Sequence, residues 1–321
     1  MAPILFIELV VTLLFIILSS EVNTVFGDSV IAVTPVGDFP QALIYNPTNN
    51  NIYVANRDSG TVSVIESNGN TVVKNITVGD FPQALIYNPT NNNIYVANVI
   101  SNTISVIDTN SDTVVSHIEV GSDPTALVYN PSNNYIYVAN YGSGTVSVID
   151  STNNTLIKSI DVGPSPITLE FSPSNSNIYV ADYDSGTVSV IDTNSNTVVN
   201  NVKVNNGPTA LEFNPSNNNT YVANRGSQTV SVINSTNSTL LKNIVVGSEP
   251  VALLFNPSNN NIYVANVVSN SISIVDTKNN VLADTINLGS VPIALEFNPS
   301  NNNTYVASTL TGADGLVSAI R

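Results

Sequence analysis

Tyr53 returns as Tyr95, Tyr137, Tyr179, Tyr221, Tyr263 and Tyr305, each step being 42 residues. Pro40, Pro82, Pro124, Pro166, Pro208, Pro250 and Pro292 keep the same step. The stretch VGDFPQALIYNPTNNNIYVAN, Val36 to Asn56, recurs unchanged from Val78 to Asn98. A fixed period near 40 residues means that each copy is one supersecondary unit, able to bury its faces only against its neighbours. By length alone, 321 residues would suggest two ordinary domains. The unbroken repeat argues for one body instead.

Within a copy, four short β-prone runs are separated by turn chemistry. In the first they are Gln41–Tyr45, Asn51–Ala55, Thr61–Glu66 and Thr71–Val78. NPTNN joins the first two, with Pro47 presetting φ and the asparagines accepting left-handed backbone. RDSG joins the next pair. Its Gly60 is replaced by Asn102 and Asn270, as a positive φ requires, while Gln228 breaks the pattern. Val62 and Val64 share one face of the third run, and Ser63 and Ile65 share the other. Both faces carry apolar bulk, as in a sheet packed between two neighbours. Four antiparallel strands repeated seven times predict an all-β, seven-bladed β-propeller.

The seventh copy supplies three runs, ending at Leu316–Ile320. The missing run stands at the other terminus, because Val30–Val36 aligns with Val72–Val78 at the 42-residue step. The N-terminal strand is therefore expected to complete the last blade as its outermost strand, where Pro35 is tolerable. Lys74, Lys158 and Lys242 fall on the outer strands, where lysine blunts an exposed edge. His117, on the same strand of another copy, reads as a solvated edge residue. Residues 28–321 form the expected propeller, and residues 1–27 a signal peptide or N-terminal anchor. The apolar core of that leader, Ile4–Leu18, has the length of a signal-peptide core. Two features depart from the usual pattern: no basic residue precedes the core, and Glu8 lies within it. An extracellular or cell-surface location follows as the expectation, with membrane attachment only through an uncleaved leader.

With 8 basic against 23 acidic residues the net charge is −15, which repels phosphate backbones and disfavours nucleic acid as a partner. The chain has no Cys and one His, which removes thiolate nucleophiles, zinc–thiolate sites and attached haem. Nucleophilic and acid–base chemistry therefore have poor material.

The repeats resemble those of the YVTN β-propeller repeat family, found in archaeal and bacterial surface and exported proteins. The signature reads YVAN in five copies, YVAD at Tyr179 and YVAS at Tyr305, with Ala where the family has Thr. The resemblance spans Val30 to Arg321. It implies the propeller fold and export, and it transfers no catalytic residue. Some related propellers are lactonases or redox enzymes, and others bind nucleic acid. A fold alone assigns none of these activities.

Chain direction puts the fourth-to-first and second-to-third connections on one face of the ring. There the copies diverge, and the candidate binding residues are Phe39, Arg57, Asp58, Phe81, Tyr141, Tyr183, Asp184 and Arg225. Aromatic, Arg and acidic side chains on loops held by a rigid frame are the usual material of a binding surface. The competing reading is drift on unconstrained loops. A second set, Glu170, Glu212 and Glu296, falls on the innermost strands, where Ile44, Ile86, Val128 and Leu254 stand in the other copies. These glutamates are candidate ligands for Ca²⁺ or another hard cation, against a plainer role as solvated carboxylates. The expected function is a non-enzymatic, monomeric exported binder or scaffold for a cell-envelope protein or glycan. The alternative is a metal-dependent, lactonase-like hydrolase using the channel carboxylates. Six N-x-S/T acceptor sequences, at Asn75, Asn153, Asn218, Asn234, Asn237 and Asn302, suit a surface location.

Overall fold

The structure, a computed structural model, describes residues 32–309 and 315–321. Six four-stranded antiparallel sheets follow one another along the chain, and a seventh shows three strands. In the first sheet the strands are Pro40–Asn46, Asn51–Asn56, Thr61–Glu66 and Thr71–Thr77, each within a residue of its expected bounds. The turns explain the regularity. Asn50, Asn92, Asn134, Ser176, Asn218, Asn260 and Asn302 all take left-handed φ between the first and second strands. In the second-to-third turn that role passes through Gly60, Asn102, Gly144, Gly186, Gln228 and Asn270. Gln228 adopts φ 54° after a single 3₁₀ turn, Arg225–Ser227, so the local path changes while the left-handed exit is kept.

First strands of successive sheets adjoin one another and fourth strands lie outermost, which makes the molecule a seven-bladed β-propeller. The leader, Met1–Gly27, lies outside the described residues, as do the first two residues of the expected closing strand. Among the described residues no helix is long and apolar enough to cross a membrane.

Each blade packs one face on its successor. Tyr137, Val146 and Val148 of blade three meet Leu169, Ile178 and Val180 of blade four, and the five other described interfaces repeat the pattern. Val62, Val64 and Ser63 are fully buried and Ile65 nearly so, because a third strand is covered on both sides. Ser63 is tolerated there since it accepts from Asn56 Nδ2 at 2.8 Å and donates to Asn75 Oδ1 at 2.7 Å.

The period-setting tyrosines tie blades together. Tyr95 donates to Asn154 Oδ1 and Tyr137 to Asn196 Oδ1, both at 2.6 Å, and Tyr221 donates to Asn280 Oδ1 at 2.8 Å. Every acceptor lies on the third-to-fourth turn of the next blade. Burial pushes the Tyr137 hydroxyl up to about 12, so it stays a donor at any ordinary pH.

On the rim, Val64 pairs with Lys74 and Ile65 with Val72, leaving Val73 in a bulge that bends the edge away from strand addition. Lys74 and Lys158 also reach the next blade, donating to the Ser111 and Ser195 carbonyls at 3.1 and 3.3 Å. His117 is exposed, with Nδ1 3.0 Å from the Ser105 hydroxyl.

The junction between blades seven and one differs from the other six. The seventh blade is described as Val291–Asn298, Asn303–Thr309 and Gly315–Ile320. Ala32–Val36 pairs with none of these in a ladder. Thr34 Oγ1 donates instead to the Asn70 carbonyl at 2.5 Å, beside the third-to-fourth turn of blade one. That is where an outer strand of a preceding blade lies, as Lys74 does beside Ser111. Packing at this junction is looser. Val317 is 60% exposed where its counterpart Val62 is fully buried, and Tyr45 of blade one is 50% exposed.

Candidate functional site

The fourth-to-first and second-to-third loops meet on one face of the ring. The backbone N–H groups of Arg57, Val99, Tyr141, Tyr183, Arg225 and Val267 donate to the carbonyls of Phe39, Phe81, Asp123, Ser165, Gly207 and Glu249. Every one of those acceptor residues has left-handed φ, between 51° and 66°. The loop therefore demands that conformation whatever the side chain. Arg57, Tyr141, Tyr183 and Arg225 then lean across the blade junction toward the position 24 residues on, at Phe81, Ser165, Gly207 and Glu249. The two loop sets together form a circlet on this face.

Four of the expected binding residues form one cluster in it. The Arg57 guanidinium lies over the Phe81 ring at 3.9 Å from its centre, and 5.8 Å from that of Phe39. Asp58 Oδ1 stands 3.5 Å from Arg57 Nε. The Arg57 side chain is only 11% exposed, so it works as the filling between two rings rather than as a projecting arm. Phe39 is 45% exposed.

Tyr141, Tyr183 and Asp184 form a second cluster on blades three and four. Ser165 Oγ donates to Asp184 Oδ2 at 2.6 Å. Desolvation raises the Tyr141 hydroxyl, as do the Asp184 and Asp123 charges, while a bond with Ser165 lowers it. Arg225, on blade five, reaches toward blade six. Its Nε and Nη2 donate to Glu249 Oε2 at 3.0 and 2.7 Å, at the left-handed position of the next blade. The eight expected residues thus share one face of the ring. The seventh copy is three residues longer at this connection, within Thr309 to Asp314, and that stretch lies largely outside the described residues.

The glutamates line the inner strands. Phe255 N–H donates to Glu212 Oε1 at 2.9 Å, which ties blade five to the inner edge of blade six. Desolvation pushes Glu212 up to about 7, with the Glu296 charge adding and the Phe255 bond opposing. Desolvation likewise pushes Glu170 up to about 8, the Glu212 charge adding and the Phe213 N–H opposing. Glu296 is exposed. Among the described residues, no three acidic or His side chains are grouped closely enough to hold a metal ion. Glu170 and Glu212 serve as acceptors for backbone N–H groups on the open inner edges.

Sequence reading missed Asp182, although its signal was present as the one YVAD among YVAN copies. It replaces the buried asparagine of blades one, two, three, five and six, and accepts from the Ser189 and Thr187 hydroxyls at 2.6 and 3.2 Å. Desolvation pushes it up to about 6. The opposing loop supplies Gly163, where an added Cβ would stand 2.6 Å from the Asp182 carboxyl carbon.

A family model described as YNCE-like β-propeller matches residues 28–208, more than half of the chain. The chain belongs to that family. The expectation of a β-propeller repeat family holds, and the model that matches is the YNCE-like one. Hydrazine synthase of Kuenenia stuttgartiensis is similar in structure, with a TM-score of 0.69 and 18% identity over 92% of this chain and 99% of that one. Dihydro-haem d1 dehydrogenase NirN, solved in complex with DHE, gives a TM-score of 0.73 and 16% identity over 87% of this chain and 65% of that one. At such identities the likeness concerns the fold alone. No curated protein sequence matches the YNCE-like chain.

Proposed function

We propose that this propeller is an exported, non-enzymatic binding protein of the cell surface, akin to YVTN-repeat propellers. It holds an envelope protein or glycan on the loop circlet. The observation that supports this most is the conformation of Phe39 and Phe81, with φ of 51° and 64°. A left-handed backbone costs a non-glycine residue about 1–2 kcal/mol, and glycine, which avoids that cost, stands at the equivalent Gly207. Strain kept in two copies where glycine fits favours a use for the rings themselves. Phe39 offers an open apolar ring, and Arg57 between the rings gives the patch a rigid, charged centre.

The hydrolase alternative has weaker support. Glu170 and Glu212 keep their protons close to neutral pH, and a hard cation wants them ionised. The deciding experiment is recovery of partners from cell-envelope extract by the wild type and by a Phe39→Asn, Phe81→Asn double variant. Asparagine accepts the backbone and removes the rings. The reading expects partners to be lost from the variant, and equal recovery by both would sink it.

A further inference from the structure

Two of the acceptor sequences differ from the other four in a way only the structure reveals. Thr155 Oγ1 donates to the side-chain carbonyl of Asn153 at 2.6 Å, and Thr239 Oγ1 donates to that of Asn237 at 2.7 Å. Both pairs sit at the tips of third-to-fourth turns, two repeats apart, and all four side chains are exposed. The turns are pinned from behind. Asn154 accepts from Tyr95 of the preceding blade at 2.6 Å, and Ser238 meets Tyr179 of its preceding blade at 2.9 Å. With the middle residue anchored inward, the flanking Asn and Thr are presented outward as a fixed pair.

The other four sequences lack this pairing. Thr220 and Thr304, two residues after Asn218 and Asn302, are fully buried. Asn234 Oδ1 is taken by the Thr236 backbone N–H at 2.9 Å, and Asn75 Oδ1 by the Ser63 hydroxyl at 2.7 Å. Elsewhere on the ring the turn position carries Ser111 or Ser195, whose hydroxyl bonds Thr113 or Thr197.

We infer that Asn153 and Asn237 are acceptor sites for N-linked glycan transfer. A carboxamide nitrogen is a poor nucleophile because its lone pair is delocalised onto oxygen. A hydroxyl donor on Oδ1 favours the imidate form, in which charge gathers on that oxygen and Nδ2 regains its lone pair. Nδ2 attacks the anomeric carbon of a polyprenyl-pyrophosphate-linked oligosaccharide. The carbon–oxygen bond to the pyrophosphate breaks, its electron pair leaves with the lipid pyrophosphate, and Nδ2 gives one proton to solvent. Both sites lie on the face opposite the circlet, so the attached sugars leave the proposed binding loops open.

The test offers the folded full-length chain and a lipid-linked oligosaccharide to an oligosaccharyltransferase already shown to modify a free Asn-Asn-Thr peptide. Site occupancy is then read by peptide mass mapping. Glycan mass is expected at Asn153 and Asn237, lost with Thr155→Val and Thr239→Val and retained with Thr155→Ser and Thr239→Ser. An unmodified chain, or equal occupancy at all six sequences, overturns the inference. Partner recovery is measured on the opposite face, so failure there and failure here are told apart.

Discussion

The Arg57 guanidinium carbon lies 3.9 Å from the centre of the Phe81 ring, joining a loop of blade one to a loop of blade two. Arg225 and Glu249 repeat that relationship as an ion pair, again 24 residues apart. The junction between adjacent blades thus admits a stacked cation or a charge pair without any change in the frame.

Phe39→Asn should leave the fold intact and raise its melting point by about 2 °C, since relief of about 1 kcal/mol spreads over a large unfolding entropy. Differential scanning calorimetry measures it. A fall in melting point would mean that the ring packs into the frame, and that its strain has a structural explanation.

Stability should fall as pH rises from about 4 to 8. Asp182, Glu212 and Glu170 have folded values raised to about 6, 7 and 8 from 3.8, 4.5 and 4.5. Between each pair of values the native state binds more protons than the unfolded chain, so the slope of stability with pH is negative. The contribution is complete below the unfolded values and gone above the folded ones. Thermal melts at several pH values test this. Asp182→Asn, which restores the residue of the other blades, should raise the melting point at pH 8 and change it little at pH 4.

Tyr137→Phe removes the bond to Asn196 and strands a half-buried acceptor, at a cost of about 1–2 kcal/mol. Tyr305→Phe should cost less, because among the described residues that hydroxyl meets only Asn301 of its own turn, which is exposed. Urea denaturation of the two variants gives the comparison, and equal midpoints would refute the assignment of the tyrosines as ties between blades.

Addition of EDTA and then of Ca²⁺ should leave the melting point unchanged at pH 7. A ligand bound only to the folded chain raises the midpoint in proportion to the logarithm of its saturation. A rise on adding Ca²⁺ that Glu212→Gln abolishes would revive the channel carboxylates as a metal site.

The repeat and its turns were legible because period, Pro47-type turns and alternating valines are local signals. Their outcome follows from steric rules that act within a few residues. The face carrying Phe39, Arg57 and Tyr141 was legible too, since strand direction alone decides it. How Arg57 would seat itself was not. Its partner Phe81 lies in the next repeat, and the spacing of 24 gains meaning only once the blades are stacked. The raised values of Glu170 and Glu212 were hidden for a related reason: desolvation depends on neighbours that a linear pattern does not name. Asp182 was legible and overlooked, as a single carboxylate replacing a buried amide.

The tyrosine ties of blades one to five all run one way, from each blade to the turn of its successor, and none reaches further than a single repeat. A blade therefore needs only a correct neighbour and has no fixed address in the circle. Duplication or loss of a 42-residue block would preserve every such tie, whereas a block one residue longer or shorter would put tyrosine and turn out of step. Circles of this kind can grow or shrink in evolution by whole panels, while the length of the panel itself is held constant.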